Sequence, residues 1–118
     1  MKKNVIKEKS FEFALHIVQL NQFLISEKKE YVLSKQVLRS GTSIGALVRE
    51  SEQAESESKK DFIHKLSISL KEANETDYWL EILFQSKFIR AEMYLELKKS
   101  IQEILRVLTS IIKTSKSV

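Results

Sequence analysis

Leu97–Ile111, LKKSIQEILRVLTSI, is the stretch that decides the fold. Leu97, Ile101, Ile104, Leu108 and Ile111 recur at alternating steps of four and three. That spacing draws one apolar line down an α-helix, the seam of a helical bundle. Lys98, Lys99, Glu103, Arg106 and Lys113 fall outside the seam and are expected on the outer face. Glu92 and Glu96 repel across one turn, so this helix, expected over about 90–115, stands by packing its seam rather than by ion pairs.

Working back along the chain, three more segments read the same way. The first helix is expected over about 10–28, with Ser10 as N-cap. Phe13, Ile17, Leu20 and Leu24 are its stripe, and Phe11, Ala14, Val18 and Ile25 widen the apolar surface. The basic residues ahead of Ser10 are expected to fray, and a turn is expected near Lys29 and Glu30. The second helix, over about 32–54, has Leu33, Val37, Ile44 and Val48 as its stripe. Gly41 and Gly45 inside it either break the helix or let a neighbouring backbone come close. The polar run Ser51–Lys60 holds the second turn, with Ser58 placed to cap the next helix and Asp61 favourable in its first turn.

The third helix is expected over about 59–84, with Phe62, Leu66, Leu70, Ala73, Leu80 and Phe84 along one side. Asp77 falls on that same side, a local conflict. A second stripe, Ile68, Glu72, Glu75, Trp79 and Ile82, lies roughly 150° away around the helix. A helix burying one face only has no use for Trp79 and Ile82 on another, so this stripe is expected to be a second contact surface, most simply between subunits. Gln85–Phe88 makes the third turn. The fold class that follows is all-α: one domain over residues 1–118, an up-down-up-down antiparallel four-helix bundle.

Composition agrees. The 118 residues include no proline, two glycines and no cysteine, which argues against a turn-rich β chain and excludes disulfides, thiol chemistry and cysteine-ligated metals. Hydrophobic residues at 42% are too many for a disordered chain. The net charge of +4 permits an anionic partner without demanding one. The basic residues cluster only in pairs: Lys2-Lys3, Lys28-Lys29, Lys59-Lys60 and Lys98-Lys99. Charged residues interrupt the N-terminal segment early, and no apolar stretch is long enough to span a bilayer, so a cytoplasmic location and no membrane contact are expected.

The second and third helices should be antiparallel neighbours turning near residue 57, which sets Arg39 opposite Glu75 and within reach of Glu72, and Glu50 opposite Lys65. Arg39, Ser43 and Glu50 share one side of the second helix, and a half-buried polar network with Glu72, Glu75 and Trp79 is expected. Such networks set register or partner choice while adding little net stability. Catalytic readings fail on these same groups. A di-iron bundle needs Glu-x-x-His motifs, and neither His16 nor His64 has a glutamate three residues before it. Gly41–Gly45 lacks the lysine of a phosphate loop. No enzymatic activity, metal or cofactor is expected.

Two ordered motifs carry a resemblance. Gln36–Ala46, QVLRSGTSIGA, is followed by Asp61–Leu66, DFIHKL, continuing to Leu70–Leu80, LKEANETDYWL. Together they resemble the bacterial family named for proteins encoded in intervening sequences of 23S ribosomal RNA genes, to which the accessory variability determinant of diversity-generating retroelements is related. The residues matching the signature are Arg39, Ser40, Ser43, Gly45, Glu50, Lys65, Lys71, Glu72, Glu75 and Trp79. Leu47 departs from it, standing where the family has asparagine, and Ser86-Lys87 replaces a glycine in the third turn. The resemblance implies an up-down four-helix bundle, a ring-like homopentamer and a basic surface for RNA or DNA, with a reverse transcriptase as partner by analogy alone.

The expected function is therefore a non-enzymatic homo-oligomer that binds nucleic acid, with Lys59, Lys60, Lys98, Lys99 and Arg106 as candidate phosphate contacts. Arg39, Ser43, Glu50, Lys65, Ile68, Glu72, Glu75, Trp79 and Ile82 are the candidate oligomer interface or polar network. The alternative is a protein-interaction scaffold that touches no nucleic acid.

Overall fold

The four apolar-periodic segments become four helices: α1 (Lys2–Ser26), α2 (Leu33–Glu55), α3 (Lys59–Gln85) and α4 (Ala91–Lys116). The computed structural model describes residues 2–117, with side chains from Asn4 onward. α1 packs on α2 and α4, and α3 packs on the same two, so the helices sit at the corners of a rod measuring 47 × 20 × 18 Å. Short connections between antiparallel neighbours leave this four-helix, all-α bundle as the compact solution.

The seam of α4 is buried as its spacing predicts: Leu97, Ile101, Ile104, Leu108 and Ile111 all lie in the core. They meet Phe13, Ile17, Leu20 and Leu24 of α1, Val37, Ile44 and Val48 of α2, and Phe62, Leu66, Ala73 and Leu80 of α3. Each large side chain buried this way contributes about 1.5–3 kcal/mol of transfer free energy. On α3, Leu83 rather than Phe84 completes the inner face; Phe84 is half-buried and stacks on Tyr94 of α4, with ring centroids 4.3 Å apart.

α1 starts earlier than its sequence suggests. Its backbone is helical from Lys2, and Ser10 is an interior residue whose buried hydroxyl donates to the Lys7 carbonyl at 3.3 Å. The physical reason is Ile6, one heptad ahead of Phe13, which enters the core and carries the helix with it. Lys7 reaches Glu52 of α2 at 3.2 Å and Lys9 reaches Glu103 of α4 at 2.6 Å, so the basic segment is tied to both neighbours.

The connections explain the breaks. Ser58 caps α3 as expected, accepting from the Asp61 amide at 3.2 Å. α2 has no capping side chain at Val32; instead the Glu30 carboxylate accepts from the amides of Val32, Leu33 and Ser34 at 3.2, 3.0 and 2.7 Å. A carboxylate there also suits the positive end of the helix dipole. Lys29 and Lys87 take left-handed conformations, with φ of 53° and 67°, at the ends of α1 and α3. In both, the following amide donates back across the turn, Glu30 to the Leu24 carbonyl and Phe88 to the Leu83 carbonyl, each at 2.9 Å. This is the helix-ending geometry that favours glycine, and lysine occupies it at both turns.

α2 runs unbroken through both glycines. A β-carbon on Gly41 would stand 2.9 Å from Ile17 of α1, and one on Gly45 would stand 3.3 Å from the Ser10 carbonyl oxygen. Of the two readings for these glycines, the structure therefore selects close approach.

Candidate interaction surfaces

Three surfaces follow from this frame. The first is the seam between α2 and α3. Ser40 of α2 and Ser69 and Thr76 of α3 are small and buried there, which brings the two helices close. Ser69 donates to the Ile44 carbonyl at 2.9 Å, and the Thr76 and Ser40 hydroxyls meet at 2.9 Å. Outside these hydroxyls lies a charged layer. The Arg39 guanidinium donates to Glu72 at 3.1 Å and to Glu75, and the Trp79 indole N–H donates to the same Glu75 carboxylate at 2.9 Å. Lys65 donates to Glu50 at 3.0 Å. The antiparallel register between α2 and α3 is the one set by a turn near residue 57.

Ser43 stands apart from the carboxylates; its hydroxyl donates to the Arg39 carbonyl at 2.6 Å. Ile68, Glu72, Glu75, Trp79 and Ile82 are all half-buried. Trp79 packs against the core and edge-on to Tyr78, with centroids 5.3 Å apart. This stripe therefore flanks the α2 seam instead of standing clear of the bundle. In a four-cornered bundle α3 is covered from two sides, so its buried arc is wider than a single stripe.

The second surface is the outer flank of α4. Lys99, Arg106 and Lys113 are exposed and recur every seven residues, about 10 Å apart along the helix. Thr109 and Ser110 lie between the last two. Beyond Glu103 the chain carries Arg106, Lys113 and Lys116 and no acidic side chain. The α3–α4 register, fixed by Lys98–Asp77 and Tyr94–Glu81, brings the exposed Lys60 at the start of α3 level with Lys113 and Lys116. Lys59 is exposed beside it.

Lys98 does not join this row. Its ammonium donates to Asp77 at 2.7 Å and its side chain is 27% exposed, so the expected free cation is engaged within the bundle. The same bond resolves the conflict at Asp77: the carboxylate lies on the α4 side of α3, where a lysine neutralises it. Glu103 is likewise drawn from the outer face toward Lys9. The hydrogen bond from Lys9 holds the Glu103 carboxyl below the usual carboxylate range, and Lys9 is raised in turn. Tyr94 donates to Glu81, and that hydrogen bond, helped by burial, pushes the phenol up to about 12.

The third surface is the outer flank of α1, where Phe11, Val18 and Ile25 widen the apolar surface beyond the core stripe. Phe11, Leu15, Val18 and Ile25 are exposed, Leu15 by 50%. A signal was present: Phe13–Ser26 contains no charged residue in a chain that is 31% charged. Between α1 and α4 the bundle also opens into a groove of about 550 Å³ lined by Leu20, Phe23, Met93 and Leu97 with His16 and Lys99 at its rim. His16 and His64 are both exposed, and among the described residues no group of three histidine or acidic side chains could hold a metal ion. Nor is any helix among them long and apolar enough to cross a membrane.

Comparison with known proteins places these surfaces in context. No curated protein matches the chain. A crystal structure of a protein of unknown function from the S23 ribosomal protein family of Bacteroides thetaiotaomicron VPI-5482 is 57% identical, covering 96% of this chain and 99% of that one with a TM-score of 0.93. The family described as 23S rRNA-intervening sequence protein matches residues 2–110, which includes both motifs and all but the last turns of the bundle. This chain belongs to the 23S rRNA-intervening sequence protein family.

Proposed function

We propose that the protein is a non-enzymatic homo-oligomer, a homopentamer on the family resemblance, that binds RNA or DNA through phosphate contacts. The observation that carries the nucleic-acid reading is the cationic row on α4. Lys99, Arg106 and Lys113 face outward at helical intervals with hydroxyls between the last two, and Lys60 joins them at one end of the bundle. Spaced cations with hydroxyl donors recognise a phosphate backbone and carry no base-reading geometry, so binding is sequence-tolerant. Oligomerisation repeats the row in every copy, so weak single contacts add through effective concentration.

The test is binding of a labelled single-stranded RNA measured across a salt series. The double variant Arg106→Glu, Lys113→Glu should weaken binding tenfold or more and flatten the dependence of log affinity on log salt by roughly 0.7 per lost contact. Wild-type binding that ignores salt would count against phosphate recognition. A second reading, a protein-interaction scaffold without nucleic-acid contact, draws on the exposed apolar flank of α1; under it, the wild type binds no RNA at any salt and no nucleic acid co-purifies.

A further inference from the structure

The groove between α1 and α4 holds about 550 Å³, inside the range of about 300–1,000 Å³ typical of small-molecule sites. Its walls are apolar, with Leu20 and Phe23 from α1 facing Met93 and Leu97 from α4. The Lys9–Glu103 bond sets the antiparallel level of the two helices. By that register His16 stands opposite Glu96, and Phe23 lies beside the start of α4. Phe23 is only half-buried, so the bundle core does not use up its ring.

Charge is distributed unevenly along this groove. Lys28 stands past the end of α1, with its ammonium 5.8 Å from the centre of the Phe23 ring. Lys99 lines the groove further down α4, and the same residue begins the outward row that continues with Arg106 and Lys113. The carboxylates of Glu96 and Glu103 lie along the α4 wall. This pattern sorts the parts of a nucleotide. Two carboxylates repel a phosphate from the interior, while ammonium groups attract it to the ends. A base carries no charge, and its flat faces gain by leaving water for a phenyl ring and a thioether. Bases of a duplex are stacked on one another and stay out, so the groove suits an unpaired strand.

We infer that the α1–α4 groove receives an unpaired base of the strand whose phosphates lie on the Lys99, Arg106 and Lys113 row. The inference rests on the nucleic-acid reading above and deepens it, because Lys99 makes the groove and the row one continuous site. Stacking on Phe23 tolerates any base, so the groove adds affinity without adding sequence preference. It also gives the two lysines at the ends of the groove separate phosphates to hold.

The experiment uses the full-length chain and three labelled RNA probes of equal length: a single strand, the same backbone made abasic, and the duplex. The wild type binds the intact strand about tenfold or more tightly than the abasic one, as one stacked base requires. Phe23→Leu keeps an apolar side chain and is checked for an unchanged circular dichroism spectrum. It lowers affinity for the intact strand to that for the abasic strand and leaves the abasic strand and the duplex unaffected. A general loss of structure would weaken all three. Arg106→Glu with Lys113→Glu weakens the intact and abasic strands alike. A second readout needs no variant: a strand carrying photoreactive iodouridine, irradiated on the wild type, cross-links within residues 16–23 or 93–103, located by mass spectrometry of the peptides. Equal binding of intact and abasic strands, a Phe23→Leu variant that treats all probes alike, or a cross-link outside those residues overturns the base pocket and leaves the phosphate reading standing. A wild type that binds none of the probes overturns both.

Discussion

α1 and α4 pack the same core and turn opposite kinds of surface outward. α4 meets solvent with Lys99, Arg106 and Lys113, while α1 meets it with Phe11, Leu15, Val18 and Ile25. Their inner flanks are held differently too. α4 is pinned to α3 by polar contacts, Lys98–Asp77 and Tyr94–Glu81, laid over its seam. α1 is drawn against α2 by missing atoms, since Gly41 and Gly45 leave room for Ile17 and the Ser10 backbone. The lesson is that inner flanks report the bundle and outer flanks report what the bundle meets. A cationic flank suits a phosphate backbone, whereas an uncharged one suits another protein surface.

The sharpest way to break this contrast is to substitute the two flanks of α1 separately. Ile17→Ala, at a fully buried site, should cost about 2–5 kcal/mol of unfolding free energy. Leu15→Ala, two residues earlier on the outer flank, should change protomer stability by about 0.5 kcal/mol or less. Both are read from chemical denaturation at a concentration where the protein is monomeric. Equal losses would mean that the outer flank already belongs to the protomer core.

Next in size is Gly41→Ala. The added methyl would meet two Ile17 carbons at 2.9 Å, so α1 must shift or Ile17 must change rotamer, with an expected loss of about 1–3 kcal/mol. Pairing it with Ile17→Val should recover part of that loss, which a simple helix-propensity effect would not do. An unchanged midpoint in denaturant would show that the α1–α2 approach is looser than its geometry.

The smallest effect concerns the inner flank of α4. Tyr94 should ionise at about 12, read by its absorbance in alkaline titration, and Glu81→Gln should bring it back toward the ordinary phenol value. Because the folded value lies above the unfolded one, the stabilisation is complete below the unfolded phenol value of about 10 and is lost as pH rises toward 12. The stability difference between wild type and Tyr94→Phe should therefore shrink over that interval. A Tyr94 that titrates normally would remove the hydrogen bond to Glu81 from the account.

The seam residues of α4, the Ser58 cap and the level of Arg39 against Glu75 were legible along the chain. Each depends on residues a few positions apart or on one short connection. The start of α1 was not, because Lys7 and Lys9 read as a solvated basic segment until Glu52 and Glu103 arrive from other helices. Lys98 looked free and Asp77 looked misplaced for the same reason: each is the other's partner, 21 residues away. The stripe through Trp79 was expected as a second contact surface, most simply between subunits; the tertiary packing sets it half-buried beside α2.

Apolar periodicity and turn chemistry along the chain determined four antiparallel helices and the side each turns inward, because helix periodicity is a local property. Only the assembled bundle decided which charges were neutralised and which apolar residues stayed exposed on α1. Those outcomes depend on groups that distant helices bring within a few ångströms, and their spacing in the sequence does not encode that distance.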